Sequence, residues 1–302
     1  MIIQKLSNNF YNYGCLIKSK KKAKSIKNLN TNKIIKEYEK TGVVLFRGFN
    51  FNKNNLFKFI KKFTFQFSND AQRRKARFNN TNIRTVDSGI HKINLHSESS
   101  FNAACPEIIW FYCKRKPEEN SGGGTILCDG IKIWDELCFK SKRFFLGNPI
   151  NYKLSVKIPF KFKIKNKRQW YLNNIGSKNP SLNPQNSTVD YTQVRFAINE
   201  TRLPGKLAFC NHLLIDLKYE PQIKKRKINN KELPKTIISE LNKIIKKYTY
   251  KINWNNADLI MIDNKRIMHG RESFKKKSLR EILNIQTKYA NFGYGSTTRN
   301  IN

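Results

Sequence analysis

Short apolar segments separated by turn-forming residues dominate the middle of this chain, from about residue 83 to residue 211. The clearest are residues 107–114, 125–128, 152–158 and 194–198, which are rich in β-branched or aromatic side chains and bounded by Gly, Pro, Asn or Ser. Many short strands joined by such turns are typical of a β-sandwich or β-barrel. We therefore expect a mainly β core.

Amphipathic segments flank this β-rich region. Residues 31–40, with Thr31 or Asn32 as N-cap, and residues 54–67 show helical spacing, and residues 233–250 form the strongest helix candidate. Further strands are expected at residues 43–49, 259–263 and 281–289. The polar residues 161–190 predict a surface excursion. Since no repeat or linker interrupts the pattern, we expect one domain of residues 1–302.

The formal net charge is +38, with 59 Lys and Arg against 21 Asp and Glu. Such an excess first suggests a polyanion partner, either nucleic acid or an anionic membrane surface. However, the lysines are spread along the whole chain, and only residues 18–24 form a dense run. No recognisable binding module accompanies them. We therefore expect no specific nucleic-acid partner and no membrane partner.

The six cysteines contain no CxxC pair, which favours reduced and mostly buried thiols. The first residues lack the apolar stretch and cleavage site of a signal peptide. No apolar run approaches the roughly 20 residues that cross a bilayer. These features predict a cytoplasmic protein.

Two of the four histidines lie in informative positions. His96 and Glu98 are two residues apart, so on an extended backbone their side chains project from the same face. A second imidazole, His269, follows the strand expected at residues 259–263. Two imidazoles and one carboxylate are the ligand set of a non-haem iron site that keeps one face open. Because so short a pattern is weakly specific, it also arises by chance. His91 and His212 are by default structural.

Neighbouring segments strengthen this hypothesis. They are Trp254, Ala257-Asp258-Leu259, Asp263-Asn264 and His269-Gly270-Arg271, together with Gly122-Gly123-Gly124-Thr125. In this order they resemble the taurine dioxygenase and clavaminate synthase-like (TauD/TfdA) family of Fe(II)- and 2-oxoglutarate-dependent oxygenases. The resemblance covers about residues 42–290, which leaves residues 1–41 as an N-terminal extension and helix.

The resemblance implies a double-stranded β-helix, that is a distorted jelly roll, with flanking helices. It implies Fe(II) bound by His96, Glu98 and His269. It also implies that Arg280, eleven residues after His269, forms a salt bridge with the far carboxylate of 2-oxoglutarate, with help from the Thr125 hydroxyl. The planar fork of arginine suits a carboxylate. The implied activity is a dioxygenase that oxidises, by default hydroxylates, an unidentified small molecule with O2 and releases succinate and CO2.

Two residues that differ from the common family pattern restrict the expected reaction and substrate. The acidic ligand is Glu98 instead of the commoner Asp, as in the clavaminate synthase-like branch, and a retained carboxylate favours oxygenation over halogenation. Asn284 stands where taurine dioxygenase has an arginine for the sulfonate, so taurine is not the expected substrate.

Two alternatives stay open. One is a basic nucleic-acid-binding protein that keeps a jelly-roll scaffold without chemistry. The other is a cupin-like metalloenzyme that does not use 2-oxoglutarate, in which Arg280 and Thr125 would have no evident role. The substrate and the oligomeric state are not specified by the sequence.

Overall fold

A computed structural model of the protein describes residues 2–6, 14–19, 26, 29–68, 74–103, 105–158, 180–183, 185, 187–275 and 278–293. Most of the lysine run at residues 18–24 lies outside these residues. So does most of the predicted surface excursion at residues 161–190.

The described part of the chain forms five α-helices and nineteen strands. The helices are α1 (Thr31–Thr41), α2 (Lys53–Lys61), α3 (Gly130–Glu136), α4 (Phe139–Gly147) and α5 (Lys235–Tyr248). The first ten strands are β1 (Ile2–Lys5), β2 (Cys15–Lys18), β3 (Val43–Arg47), β4 (Thr64–Phe67), β5 (Ala76–Arg77), β6 (Asn80–Thr85), β7 (Ile93–His96), β8 (Ile108–Arg115), β9 (Thr125–Asp129) and β10 (Ile150–Lys157). The others are β11 (Ser181–Asn183), β12 (Thr188–Arg195), β13 (Ile198–Glu200), β14 (Leu207–Phe209), β15 (Ile223–Ile228), β16 (Thr249–Lys251), β17 (Leu259–Asp263), β18 (Ile267–Arg271) and β19 (Glu281–Ala290).

These strands form two facing sheets, a third sheet and a hairpin. The large sheet has the order β1-β2-β3-β17-β8-β19-β6-β5, with β4 also paired to β19, and only its β2–β3 pair is parallel. The small sheet has the antiparallel order β16-β9-β18-β7. A third sheet, β11-β12-β10-β15, and the hairpin β13-β14 lie beyond it.

Alternate residues of the central strands build the core between the large and small sheets. Ile109 and Phe111 of β8 pack there with Leu127 of β9 and Ile267 of β18. Trp110, between the first two, instead faces the layer formed by α1 and α2. This alternation follows from the two-residue period of a strand. Full burial of one such side chain stabilises the fold by roughly 1.5–3 kcal/mol.

Helix α5 covers the outer face of the small sheet. Its Leu241 and Tyr248 belong to the same buried cluster as Cys128 of β9 and Met268 of β18. The predicted helix at residues 233–250 is therefore present, shortened at both ends. The two sheets are held between helical layers, so β18, which carries His269, is buried on both faces.

Several local predictions were wrong. Asn30 is the N-cap of α1, because its side chain accepts a hydrogen bond from the Lys33 amide. The helix predicted at residues 54–67 ends at Lys61, and residues 64–67 form β4, since pairing with β19 outweighs the helical spacing of their apolar side chains.

The strand predicted at residues 194–198 is divided between β12 and β13. The described part of residues 161–190 includes β11 and the start of β12. Helices α3 and α4 were not predicted. The N-cap of α3 is Asp129, whose side chain accepts a hydrogen bond from the Ile131 amide. In the described part of the chain, no helix is long and apolar enough to cross a membrane.

All six cysteines are free thiols. Cys15, Cys113, Cys128 and Cys210 are buried, Cys105 is partly buried and Cys138 is exposed. Burial raises the pKa of the Cys15, Cys105 and Cys113 thiols to about 12. Since the thiolate is the reactive form, these three thiols are unreactive at neutral pH.

We expect Cys138 to react first when the folded protein is treated with a thiol reagent such as Ellman's reagent at about pH 8. The other thiols should react only on unfolding, because they are shielded or protonated. The kinetics can be followed by absorbance, with Cys138→Ser as the control that loses the fast phase. Rapid modification of Cys113 in the folded protein would contradict this prediction.

Candidate metal centre

The pairing of β7 with β18 brings His96 and His269 together. The two residues are direct register partners, and their ring centroids are 4.6 Å apart. Close approach of the strands requires Gly270, because a Cβ there would lie 2.6 Å from the Ile93 carbonyl oxygen. Glu98 lies two residues beyond the end of β7. Its Oε2 is 3.5 Å from Nε2 of His269 and 3.8 Å from Nε2 of His96.

These distances suit a shared metal ion. The candidate ligand atoms of His96, Glu98 and His269 lie within 4.8 Å of one another, and no other group of this kind occurs in the described residues. Two metal–ligand bonds of about 2.1 Å span at most about 4.2 Å, so one ion can contact Glu98 and either imidazole. The three side chains therefore face a common point, and a small closure would allow one ion to contact all three.

The reason given from sequence for the position of Glu98 was wrong. Strand β7 ends at His96, and Glu98 lies in a turn that continues through Ser99, which has a φ of 51°. Extended backbone therefore does not place its carboxylate beside His96. Contacts from another part of the chain do so.

Asn264, in the turn between β17 and β18, holds the Glu98 backbone from both sides. Its Oδ1 accepts a hydrogen bond from the Glu98 amide at 2.8 Å, and its Nδ2 donates to the Glu98 carbonyl at 2.9 Å. The same Nδ2 donates to the Pro106 carbonyl at 2.9 Å, and the Asn264 carbonyl accepts from the Ser97 hydroxyl at 2.7 Å. Asn264 is fully buried. It therefore fixes the turn that presents the carboxylate.

Hydrogen bonding also orients the first imidazole. His96 Nδ1 lies 2.9 Å from the Asn94 carbonyl oxygen, which can only accept, so Nδ1 carries the hydrogen. In the neutral ring, Nε2 is then unprotonated and faces Glu98. His212 packs its ring edge-on against His96 with 5.2 Å between centroids. Phe111 packs similarly against His269 at 5.2 Å.

Burial and mutual contacts set the charge states. Burial lowers the pKa of His269 to about 4, so this ring is neutral at neutral pH. Burial opposes ionisation of Glu98, but contacts with His269 and His96 outweigh it and hold the Glu98 pKa well below its usual value. Burial likewise lowers the pKa of His96, but contacts with Glu98 outweigh it and raise that pKa overall. Glu98 and His269 are therefore in the states that metal binding requires, whereas a protonated His96 would have to release its proton when a metal binds.

Arg280 and Thr125 meet at a second position in the same cavity. Arg280 immediately precedes β19 and Thr125 begins β9, so the contact joins the large sheet to the small one. Arg280 Nη2 donates to Thr125 Oγ1 at 3.0 Å, and Trp254 Nε1 donates to the same oxygen at 2.9 Å. With its oxygen accepting twice, Thr125 retains its own O–H as a donor.

The Arg280 guanidinium lacks a counter-ion among the described residues. No carboxylate of the described chain lies within 4.0 Å of it, and its buried Nε has no hydrogen-bond partner there. Burial, followed by the charge of Arg271, lowers its pKa to about 10, so it is still a cation at neutral pH. A buried, unpaired charge is unfavourable. An anionic ligand would relieve this penalty.

Both positions line one cavity of about 100 Å³. Its other lining residues include Arg74, Phe111, Arg271, His91 and Tyr219. Arg271 donates to the carbonyls of Asp87 and His91. These hydrogen bonds hold the loop between β6 and β7 against β18. The His91 and Tyr219 rings stack with 3.6 Å between centroids. His91 thus contributes to the cavity wall.

Comparison with known families agrees with this arrangement. Residues 21–286 match the model of the family described as taurine catabolism dioxygenase TauD, TfdA family. The chain belongs to the TauD/TfdA family. This membership confirms the resemblance proposed from the sequence.

Solved structures confirm the double-stranded β-helix of this TauD/TfdA chain. The structure of AAD-2 in complex with Mn(II) and N-oxalylglycine matches with a TM-score of 0.62 and 13% identity, over 98% of this chain and all of that one. PvcB, described as an Fe, alpha-ketoglutarate dependent oxygenase from an isonitrile synthetic pathway, matches with a TM-score of 0.57 and 12% identity. That match covers 91% of this chain and 85% of PvcB.

A curated relative is more similar in sequence. The 3-((Z)-2-isocyanoethenyl)-1H-indole synthase of Fischerella ambigua is 23% identical over 198 residues. The match covers 64% of this chain and 62% of the relative's own length.

Replacement of Asn264 tests its part in the site. Asn264→Ala should weaken the affinity for a divalent ion by about 10–100-fold, because the turn that carries Glu98 loses its support. Calorimetry with Mn(II) measures this. Thermal unfolding should show, as a separate effect, that the free energy of unfolding falls by about 1–3 kcal/mol for each buried polar group that is left without a hydrogen-bond partner. Asn242→Ala, on the exposed side of α5, is the control. Unchanged affinity with reduced stability would restrict Asn264 to a role in folding.

Proposed function

We propose that this protein is an Fe(II)- and 2-oxoglutarate-dependent dioxygenase of one domain that oxidises, by default hydroxylates, a small molecule and releases succinate and CO2. The main support is a single cavity that combines three convergent metal-ligand candidates with an arginine that has no counter-ion in the described chain. Either feature alone has many uses. Together they suit a metal-chelating dicarboxylate.

In this proposal His96, Glu98 and His269 hold the iron. Three ligands from the protein leave one face of an octahedral ion open for other molecules. Bound Fe(II) would supply the activation of O2 that accompanies oxidative decarboxylation of 2-oxoglutarate. The protein keeps Glu98 ionised and His269 neutral, so neither ligand needs to lose a proton before the metal binds at neutral pH.

Arg280 and Thr125 bind the far carboxylate of 2-oxoglutarate. The free Nε–H of Arg280 and the O–H of Thr125 provide donors in one region of the cavity. Trp254 keeps the Thr125 oxygen oriented through its indole N–H. Charge-assisted hydrogen bonds of this kind are stronger than neutral ones. The carboxylate would provide the missing counter-ion.

The substrate is a small molecule that is not a sulfonate. Asn284 lies on β19, is buried with 2% exposure and carries no charge to pair with a sulfonate. Because two similar proteins are named for isonitrile chemistry, isonitrile-bearing small molecules are the first compounds to screen. Succinate formation is the readout.

The two alternatives explain less of the cavity. If the protein were a cupin-like metalloenzyme that does not use 2-oxoglutarate, the positive charge of Arg280 would have no known anionic ligand to bind. A nucleic-acid-binding protein without chemistry uses neither Arg280 nor the convergent His96, Glu98 and His269. Both alternatives predict that 2-oxoglutarate does not bind.

The decisive experiment is anaerobic titration of the Fe(II)-loaded protein with 2-oxoglutarate. A weak visible charge-transfer band should develop, because the cosubstrate chelates a metal that has an open face. Arg280→Ala should raise the 2-oxoglutarate concentration that gives half of the maximal band by at least about tenfold, since charged hydrogen bonds of about 1.5–3 kcal/mol are lost. Arg280→Lys should give an intermediate value, because a point charge replaces the fork.

Glu98→Ala tests the metal site in the same titration. It should weaken or alter the band and abolish succinate formation. Arg143→Ala, on the exposed side of α4, is the control for removal of an arginine. Absence of the band in the wild-type protein, combined with specific nucleic-acid binding at physiological salt, would support the binding-protein alternative instead. An Arg280→Ala protein with unchanged dependence on 2-oxoglutarate would place the cosubstrate site elsewhere.

A further inference from the structure

A large groove lies beside the metal cavity. It has a volume of about 1250 Å³ and is bounded by the edge strand β15, by α5 and by residues of the small sheet. Its apolar lining is aliphatic and consists of Leu95, Ile126, Leu213, Leu214, Leu217, Ile228, Leu233, Ile238 and Ile245. Ile238 on α5 is 38% exposed within it. The groove therefore presents apolar surface to the solvent.

The groove is also strongly basic. Of its 23 lining residues, nine are Lys or Arg, against 59 in the 302 residues of the chain. Its two acids are already paired, Glu232 with Lys227 and Glu272 with Lys251. Arg226 is also engaged, since it donates to the carbonyls of His212 and Ile215.

Six exposed cations then have no acidic partner among the described residues. They are Lys92, Lys224, Lys225, Lys231, Lys235 and Lys246, here called the rim lysines. Protection of a sheet edge accounts for Lys224 and Lys225, because β15 is an edge strand and edge lysines oppose aggregation. It does not account for Lys92, before β7, or for Lys235 and Lys246 on α5.

We propose that this groove binds an acidic amphipathic α-helix of a partner protein. The apolar stripe of such a helix would contact the aliphatic lining, and its carboxylates would pair with the rim lysines. A single-stranded nucleic acid fits less well, because bases are usually held by stacking on aromatic side chains. No aromatic residue of the described chain lines the groove.

The groove adjoins the metal cavity. Lys92 and Asn94 line both spaces. A helix in the groove therefore lies next to the cavity wall, where a partner can present a substrate or cover the opening. Recognition by the groove does not depend on the oxygenase activity, so the two proposals can fail separately.

The test uses the full chain and a fluorescein-labelled synthetic helix with Leu at positions i, i+3, i+4 and i+7 and Glu at the remaining positions. Anisotropy should show binding that weakens as salt is added, because exposed charges are screened. Micromolar affinity is expected, since the groove offers no aromatic anchor. A peptide of identical composition, scrambled to disperse the leucines, should bind at least about tenfold more weakly.

Two double variants locate the contact. Lys224→Glu with Lys231→Glu reverses charge on the rim, and Lys36→Glu with Lys243→Glu makes the same change of net charge on exposed lysines outside the groove. Only the rim pair should reduce binding by more than about tenfold, while the control pair should have a small effect through long-range charge. Ile238→Glu should reduce binding through the apolar contact. Hydrogen exchange should show protection of α5 and β15 on addition of the peptide.

Three results would overturn the proposal. Absence of binding removes the site altogether. The rim and control double variants could lose peptide affinity equally, or the scrambled peptide could bind as tightly as the helix. Either result would indicate general attraction to a chain of charge +38. Tighter binding of oligo(dT) than of the helix, lost in the rim variant, would make the groove a nucleic-acid site. Binding of 2-oxoglutarate to the Fe(II)-loaded rim variant shows separately whether the metal cavity is intact.

Discussion

The register between β7 and β18 is the constraint on which the site depends. It places His96 opposite His269, although the two residues are 173 positions apart in the chain. A slip by one residue would turn one imidazole to the opposite face of the sheet. Strand β18 is fixed on its other side by β9, where Arg271 pairs with Thr125. One block of three strands therefore positions two candidate metal ligands and the threonine of the proposed cosubstrate site.

The second constraint is the separation of the two sheets. Arg280 approaches from the large sheet and contacts Thr125 on the small one, so the apolar residues between the sheets determine whether the two side chains meet. This packing also keeps water from the Arg280 Nε. It therefore increases the energetic cost of leaving the positive charge of Arg280 without an anionic partner. The same core that stabilises the fold thus creates the need for an anion at one end of the cavity.

The sequence predicted those parts of the site that depend on residue type and spacing. The candidate pair His96 and Glu98 and the remote His269 are recognisable from residue type and spacing, whereas Arg280, eleven positions beyond His269, became a candidate through the resemblance to the family. A mainly β core was also predictable, because short strands and the turn residues between them are local signals, whereas the double-stranded β-helix was implied by the resemblance to the family. The role of Asn264 was not predictable, since it depends on contacts with Glu98, 166 positions away. Residues 64–67 were misassigned for a related reason, because their pairing with β19 is a tertiary effect.

The charge states of the candidate site depend mainly on burial and on neighbouring groups, and less on the net charge of +38. Most lysines are exposed, and at physiological ionic strength their field is screened beyond about 8 Å. Groups in direct contact therefore set the charge states of the site: His96 and His269 hold the Glu98 pKa down, and the pKa of Arg280 shifts through burial and its neighbour Arg271. In the groove beside the cavity, by contrast, lysines without acidic partners in the described chain surround apolar surface, and there we infer that the charge contributes to specific recognition. The groove and the cavity share Lys92 and Asn94 in their lining. A partner bound in the groove would therefore lie next to the cavity in which we propose that a small molecule is oxidised.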